Sequence, residues 1–351
     1  MIQLIDAAGG WCLKNIYHLV QLNPIVIVSC DFRFIASKLR FGWDQLVKAK
    51  VLMNKTSFQK IHASKLIFPV VQLFGLPLVI VTLEDFVTRL LVKIKARKNL
   101  SQKNKQLPLA IMVVSMQDVM VRWWWQWVGA PRAAAAAFAE FDWFTPDGMP
   151  LVWLARLLGY RAQRIYGPDV LVECLHQTNY ESDGEIRHYF YGSTPETLQK
   201  LKTQIRRHWP GVVIAGSLAP PFRPLTPAEK TRILVKINRS QPDIIWVGLG
   251  SWKQLLWVAE MKARLSTSVI IPVGLAFKIL SGETTQAPKW WRQSGGEWLF
   301  RLIQEPNRLW SRYWWQVPFF GVWWIVELIN QLCQRVKWWL KSSLLRRSSI
   351  S

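Results

Sequence analysis

Short apolar runs alternate with segments of helical periodicity from about residue 70 onward. Leu109–Ser115 and Val212–Ala215 have the apolar, β-branched character of buried strands. Ser193–Glu196 and Thr226–Glu229 have the pattern of capping boxes, each with a proline in the first turn and apolar residues at helical spacing beyond it. This alternation predicts an α/β fold with a Rossmann-like, mainly parallel sheet flanked by helices. Ligands of such folds bind beyond the carboxyl ends of the strands.

One stretch, Leu66–Leu83, is long and apolar enough to suggest a membrane-spanning helix. It contains Pro69, Gly75 and Pro77 among β-branched residues, and this pattern favours two short strands around a turn. We therefore predict strands in this stretch.

The two ends of the chain differ in character from the middle. Residues 1–68 are basic and weakly periodic, which predicts an extension, whereas residues 69–300 carry the Rossmann-like pattern. Residues 301–351 are rich in arginine and tryptophan, as expected for an amphipathic appendage that lies in the bilayer interface. The alternative is a helix whose tryptophans pack on the domain.

The charge of the chain calls for an anionic partner. Its 45 Lys and Arg against 22 Asp and Glu give a net charge of +23, which suits either nucleic acid or anionic lipid. No nucleic-acid recognition motif accompanies that charge, so we predict a membrane surface as partner and no nucleic acid.

Cysteine and histidine usage gives no sign of a metal centre. The four cysteines are widely spaced without a C-x-x-C pair, and the five histidines lack ligand spacing. We predict no metal and no other cofactor. The widely spaced cysteines and an N-terminus without a secretory pattern suit a reducing cytoplasm.

A glycine run gives the first indication of a binding site. Ile244–Val247 predicts a buried strand, which ends in Gly248 and Gly250 and is followed by Lys253 and Gln254. Glycines let the backbone approach a ligand, and the amides of the next helix can bind a phosphate. Taken alone, the same pattern also describes a tight turn.

Asp147 stands in a turn just before a predicted helix, within Phe144–Pro150. An acid there either stabilises the helix start through the dipole or, in a pocket, serves as a general base toward an acceptor hydroxyl.

Several longer motifs occur in a fixed order along the chain: TPDGMPLVW (Thr145–Trp153), YGPDVL (Tyr166–Leu171), RHYFYGSTPETL (Arg187–Leu198), PPFRPLTPAE (Pro220–Glu229), INRSQPDIIWVGLG (Ile237–Gly250) and EWLFRLIQEPNRLWSRY (Glu297–Tyr313). Together they resemble the WecG/TagA/CpsF glycosyltransferase family, which builds bacterial cell-surface polysaccharides. The resemblance runs from about Val71 to about Tyr313.

The resemblance implies an inverting transferase that needs no metal. It would move N-acetylmannosamine, or a related hexose, from a UDP donor to a sugar on undecaprenyl diphosphate, as a peripheral protein on the cytoplasmic face of the plasma membrane. By the same resemblance Asp147 is the candidate base, and Ser115 falls where the family has a threonine. The predicted substrate-binding residues are Gly167, Asp169, Asn238, Gly248, Gly250, Lys253, Gln254, Lys278, Arg301, Arg308 and Arg312.

The chain departs from the family pattern at several positions, and two of them remove an acid. Leu255 and Lys278 stand where the family has acidic residues. A charge reversal in a pocket is seldom silent. These departures leave an alternative open, in which a non-catalytic relative binds UDP-sugar or lipid diphosphate within an assembly complex.

Overall fold

A computed structural model describes residues 68–98, 107–126, 128, 130–180 and 186–348. The predicted N-terminal extension, residues 1–68, lies outside the described residues except for its last one, Phe68.

Eight strands form one sheet in the order β1-β2-β4-β3-β8-β7-β5-β6. Every neighbouring pair is parallel except β1 and β2, which are antiparallel. The strands are β1 Val70–Leu73, β2 Leu76–Val79, β3 Leu109–Val114, β4 Trp143–Pro146, β5 Arg187–Gly192, β6 Val213–Leu218, β7 Ile244–Gly248 and β8 Val269–Pro272. The predicted Rossmann-like, mainly parallel sheet is therefore confirmed.

The described residues also form twelve α-helices. They are α1 Leu83–Lys98, α2 Met116–Trp124, α3 Arg132–Ala136, α4 Met149–Leu157, α5 Gly167–Asn179, α6 Pro195–His208, α7 Pro227–Arg239, α8 Ser251–Met261, α9 Ala276–Leu280, α10 Lys289–Gln293, α11 Glu297–Gln304 and α12 Pro306–Ser348.

The stretch around Gly75 forms the β1–β2 hairpin, as the proline and glycine pattern predicted. Its turn places both Phe74 and Gly75 at positive φ, 52° and 71°. A Cβ on Gly75 would lie 2.8 Å from the ring of Trp123, so the turn requires glycine for space as well as for conformation. Nowhere in the described part of the chain does a helix have the length and hydropathy needed to cross a membrane.

The two predicted helix starts form with one correction. Thr226 and Glu229 make the full capping box of α7, as predicted. At α6 the cap is Thr194, whose hydroxyl accepts the Thr197 N–H, and not Ser193. Ser193 has a φ of 59° at the end of β5, so the helix begins one residue later than the pattern suggested.

The C-terminal helix α12 packs one face against the β1–β2 hairpin. The rings of Phe320 and Trp323 lie 5.4 and 4.9 Å from the ring of Phe74. The Glu327 carboxylate accepts the Phe74 N–H at 3.1 Å, and the Trp324 indole donates to the Pro150 carbonyl at 2.7 Å. The alternative considered for the appendage, tryptophans packed on the domain, therefore holds for this face.

The opposite face of α12 exposes apolar side chains at intervals of three or four residues, apart from one interval of eight between Trp314 and Val322. Each is at least 45% exposed: Trp310, Trp314, Val322, Ile325, Ile329, Leu332, Val336 and Trp339. With 3.6 residues per turn these positions fall on one stripe, which we call the outer stripe of α12. The helix thus has two apolar faces, one packed on the domain and one open.

Candidate active site

A cleft of about 190 Å³ opens at the carboxyl ends of β3, β4 and β8. β3 leads to β4 on one side, whereas β8 is entered from β7 on the other, so the strand order reverses there. Such a reversal leaves a crevice between the connections, which is where open α/β sheets bind ligands. The lining residues include Ser115, Asp118, Asp147, Tyr166, Gly167, Trp252, Gln254, Gly274 and Arg301.

Three helices begin at the wall of this cleft. Residues at the start of α2 (Ser115, Gln117), of α5 (Gly167, Pro168) and of α8 (Trp252, Gln254) line it. The first turn of a helix has amides without intrahelical partners and the positive end of the helix dipole. Because three such ends meet, the cleft favours an anionic ligand such as a diphosphate.

Asp147 stands at the end of β4 with its side chain 19% exposed in the cleft. Its backbone N–H donates to the Val114 carbonyl at 2.9 Å, which extends the pairing of β3 with β4 and fixes where the carboxylate emerges. Burial raises the pKa of Asp147 to about 6, and the nearby Glu297 and Asp118 carboxylates add to this while Arg164 opposes it. A carboxyl group with such a pKa can accept a proton near neutral pH.

Arg164 connects Asp147 to the C-terminal part of the chain. Its Nη2 donates to Asp147 Oδ1 at 2.9 Å and to Glu297 Oε2 at 2.7 Å. The Tyr166 hydroxyl donates to Glu297 Oε1 at 3.0 Å, and the Arg164 guanidinium lies 4.1 Å from the centre of the Tyr166 ring. Glu297 and Arg301 also form an i,i+4 pair at 3.5 Å on α11.

Ser115 caps α2 and is held by Asp118. The Ser115 hydroxyl donates to Asp118 Oδ2 at 2.6 Å, and the Ser115 N–H donates to the same oxygen at 2.8 Å. Burial raises the pKa of Asp118, although both of these hydrogen bonds oppose the rise. The predicted hydroxyl therefore lies in the cleft, in contact with a carboxylate that the sequence did not bring to notice.

Gln254, for which contact with the nucleotide stays a prediction, lines the cleft. Its buried Oε1 has no hydrogen-bond partner within the described residues, and it stands about 3.9 Å from a Cβ placed on Gly274. Gly250, at φ 76°, ends the glycine run in the left-handed region and directs the chain into α8. An unpartnered buried oxygen that faces a cleft is a suitable acceptor for a ligand donor.

Arg301 and Gly167, both predicted to bind substrate, also line the cleft. Arg308 and Arg312 lie in the first turns of α12, and their side chains are outside the described part of the structure. Binding by each of these residues stays a prediction.

Several predicted binding residues lie elsewhere. Asn238 is the last residue but one of α7, and its side-chain amide donates to the Arg264 carbonyl while its oxygen accepts the Ser266 N–H. Arg264 and Ser266 precede β8, so Asn238 lies at the amino end of the sheet, away from the candidate site. Sequence alone could not reveal which end of the sheet this side chain would face.

Asp169 and Gly248 have other partners in the structure. The Asp169 carboxylate pairs with Arg292 at 3.1 Å, which ties α10 to the first turn of α5. A Cβ on Gly248 would lie 2.6 Å from the Phe277 ring, so glycine there is required for packing between β7 and α9. Neither residue lines the cleft.

Lys253 and Lys278 are exposed and do not line the cleft. The Lys278 charge lies near Glu283, whose pKa it helps to lower, and Glu283 pairs with Lys200 at 3.2 Å. Leu255 is fully buried. Hence neither of the two residues that suggested a non-catalytic relative alters the charge inside the cleft.

Four residues of the cleft network were not singled out from the sequence. Arg164 precedes the YGPDVL motif, Tyr166 and Glu297 open two of the quoted motifs, and Asp118 follows Ser115 at capping-box spacing. The Ser115–Asp118 spacing was the one local signal in the sequence that could have pointed to any of these four residues. The Arg164–Glu297 pair joins positions 133 residues apart, which a single sequence does not relate.

Within the described residues, no group of three or more His, Cys, Asp or Glu side chains is placed to hold a metal ion. The requirement for a metal stays a prediction.

Comparison with known proteins identifies the family to which this chain belongs. The profile of the Glycosyl transferase WecG/TagA/CpsF family matches residues 71–334, which is about three quarters of the chain. The chain belongs to this family. The match extends beyond Tyr313, where the resemblance was expected to end, and includes the part of α12 that packs on the hairpin.

Two relatives carry the same name, N-acetylglucosaminyldiphosphoundecaprenol N-acetyl-beta-D-mannosaminyltransferase. The one from Bacillus subtilis (strain 168) is 30% identical over 192 residues, which cover 52% of this chain and 72% of the relative. The one from Bacillus spizizenii (strain ATCC 23059 / NRRL B-14472 / W23) is 27% identical over 178 residues, covering 50% of this chain and 66% of the relative. As a member of this family, the chain is a glycosyltransferase of cell-surface polymer synthesis.

Proposed function

We propose that this protein transfers N-acetylmannosamine, or a related hexose, from a UDP donor to an undecaprenyl-diphosphate-linked sugar, with inversion at the anomeric carbon. The observation that carries the proposal is the position of Asp147, a carboxylate of raised pKa in a cleft where three helix N-termini meet. The names of the two relatives indicate the class of sugar and acceptor.

Inversion needs a single displacement at the anomeric carbon. In the proposed reaction the acceptor hydroxyl oxygen attacks that carbon, its proton passes to Asp147, and the bond from the carbon to the UDP oxygen breaks. UDP leaves with the electron pair. A base positioned at the acceptor hydroxyl contributes about 10²- to 10⁴-fold in rate.

The departing diphosphate carries the developing negative charge, and the cleft offers groups suited to it. The starts of α2, α5 and α8 supply amides, and Arg301 supplies a guanidinium that can bind phosphate through two N–H groups. Gln254, with its unpartnered oxygen, is the candidate acceptor for a donor group of the nucleotide or sugar. In this proposal protein groups carry the charge stabilisation, and no metal is required.

The outer stripe of α12 supports peripheral attachment to the membrane that holds the acceptor. Tryptophan at the ends of an apolar stripe is typical of helices that lie in the bilayer interface. The net charge of +23 would add attraction to anionic headgroups, and we place the protein on the cytoplasmic face, where the UDP donor would be available.

The reaction class is tested by incubating the full chain with UDP-N-acetylmannosamine and a short-chain lipid diphosphate bearing N-acetylglucosamine. We expect a lipid-linked disaccharide by mass spectrometry, with the anomeric configuration opposite to that of the donor by NMR. The yield should be the same in EDTA. Asp147→Asn should lower the initial rate of product formation about 10²-fold or more, whereas Asp85→Asn, at an exposed aspartate of α1, should not. A product of retained configuration, or no product from the unmodified chain, would contradict the proposal.

A further inference from the structure

Arg164 divides a single guanidinium between two carboxylates from distant parts of the chain. Its Nη2 lies 2.9 Å from Asp147 Oδ1 and 2.7 Å from Glu297 Oε2, so one nitrogen bridges the two acids, while its Nε also donates to Asp147 Oδ1 at 3.2 Å. The side chains of Arg164, Asp147 and Glu297 are only 17%, 19% and 14% exposed. Charges that are this weakly solvated influence one another strongly.

The orientation of Glu297 is determined from more than one side. The Tyr166 hydroxyl donates to its Oε1, and Arg301 approaches the same oxygen at 3.5 Å. Glu297 also stands in the first turn of α11, where a negative charge is favourable. It is therefore a fixed partner for Arg164 and not a mobile surface acid.

The other charged groups near Asp147 are few. Asp118 approaches from α2 and raises the pKa of Asp147, as Glu297 does, while Arg164 lowers it. Asp147 in turn acts on Tyr166 and Arg301. Among these groups, Glu297 is the one that both repels the Asp147 carboxylate and accepts a hydrogen bond from Arg164.

We propose that Glu297 is a positioning residue for the transfer reaction, which holds Arg164 in a shared ion pair and so keeps the Asp147 carboxylate basic and aimed into the cleft. The inference rests on the proposed function, in which Asp147 receives the proton of the acceptor hydroxyl. Through Glu297, helix α11 would set the basicity of Asp147, a role separate from any contact with substrate.

The physical consequence follows from charge balance. Without the Glu297 charge, Asp147 loses a neighbour that disfavours its ionised form, and Arg164, whose Nε already donates to Asp147, no longer shares its charge with a second carboxylate. Both changes lower the pKa of Asp147. The carboxylate then stays ionised to lower pH but is a weaker base, so proton transfer slows where the native enzyme works best.

The test compares Glu297→Gln with Glu305→Gln in the full chain. Glutamine keeps the shape of Glu297 and one of its two oxygens, which can accept from Arg164, while the NH2 in place of the other can donate to the Tyr166 hydroxyl oxygen. Glu305 is an exposed glutamate at the end of the same helix. NMR of carboxyl-¹³C-labelled aspartate follows the titration of Asp147, whose signal is identified by its loss in Asp147→Asn. The pH profile of kcat/KM is measured on the same proteins.

For Glu297→Gln we expect the Asp147 midpoint and the acid limb of the profile to move down by about one pH unit. The rate on the plateau should fall about threefold to tenfold. Glu305→Gln should change neither quantity. A Glu297→Gln protein whose Asp147 midpoint stays in place would overturn the inference, even if its rate fell, because a merely structural role gives that result. Absence of product from every form would overturn the proposed function, while the titration would still decide the ion-pair inference.

Discussion

The basicity of the Asp147 carboxylate depends on the small number of charged groups around it. Asp147 is desolvated by the ends of β3 and β4, and a single arginine, shared with Glu297, offsets that burial. Had Arg164 paired with Asp147 alone, the carboxyl group would have been held ionised and weakly basic. The arrangement instead leaves a base whose pKa is close to the working pH.

The raised pKa of Asp147 predicts the pH dependence of the reaction. The base is active when ionised, so kcat/KM should fall as the pH drops through about 6, by about tenfold per unit below it. Steady-state rates between pH 4.5 and 8 (a range of about two units either side of the midpoint) check this. A profile that stays flat to the pH of an ordinary aspartate, near 4, would show that Asp147 is not the group that titrates.

Lys278 is the residue whose charge reversal first suggested lost activity, and its placement predicts a small effect. Because it is exposed and does not line the cleft, Lys278→Gln should change kcat/KM less than about twofold, as for most surface substitutions. Arg301→Gln, inside the cleft, should lower it about 10²-fold. Equal losses in the two variants, measured in the same assay, would place Lys278 in the binding site after all.

For single residues, the sequence predicted well which strand-end residues would line the cleft. It predicted poorly which side chains would bond to one another. Ser115, Asp147, Gly167 and Gln254 all line the cleft, because strand ends and helix starts of a parallel sheet meet at one edge. Asn238 and Asp169 were misplaced, since their motifs do not show that one binds a loop backbone and the other an arginine. Arg164 and Glu297 needed the folded chain to be related at all.

At the scale of elements, α12 is the part that the sequence described least completely. The pattern predicted an amphipathic appendage in the bilayer interface, with tryptophans packed on the domain as the alternative. The helix has two apolar faces. Phe320 and Trp323 pack on the hairpin, and the outer stripe lies on the far side. A tryptophan-rich composition does not distinguish these faces, because the receiving surface is formed by residues near 74 and 124, far away in the sequence.

The packed face of α12 predicts a stability difference between two tryptophans of the same helix. Trp323 is 3% exposed and contacts the rings of Phe74 and Trp124, so Trp323→Ala should lower the free energy of unfolding by about 3 kcal/mol or more. Trp310 is 59% exposed, and Trp310→Ala should cost less than about 1 kcal/mol. Urea unfolding of both variants measures these values. Similar costs at the two positions would mean that α12 does not pack in this way.

At the scale of the whole molecule, sheet order explains why the site lies where it does. The order β4-β3-β8 brings the ends of strands early and late in the chain into one crevice, and the helices that follow them begin at its wall. This much was predictable, because the alternation of strands and helices implies parallel strands with ligands at their carboxyl ends. The strand order itself was not, since no local pattern records which strands become neighbours.

The open face of α12 predicts how the protein meets a membrane. Ile325→Gln with Ile329→Gln should weaken the affinity for vesicles of anionic phospholipid, measured by sedimentation, by about 70-fold, because about 100 Å² of apolar area would no longer be buried in the interface. A matched pair on other surfaces of the domain, Val92→Gln with Val235→Gln, should pellet like the unmodified chain. Equal pelleting of all three proteins would remove the outer stripe from the membrane contact.

The central claim is that Asp147 is the base of an inverting transfer, and the rate of one turnover tests it most directly. Excess full chain is mixed with UDP-N-acetylmannosamine and the lipid-diphosphate acceptor, and UDP affinity is measured separately by calorimetry. We predict that Asp147→Asn slows the single-turnover rate by about 10²-fold or more, with UDP affinity within about twofold of the unmodified chain. A turnover rate in Asp147→Asn that matches the unmodified chain would contradict the account.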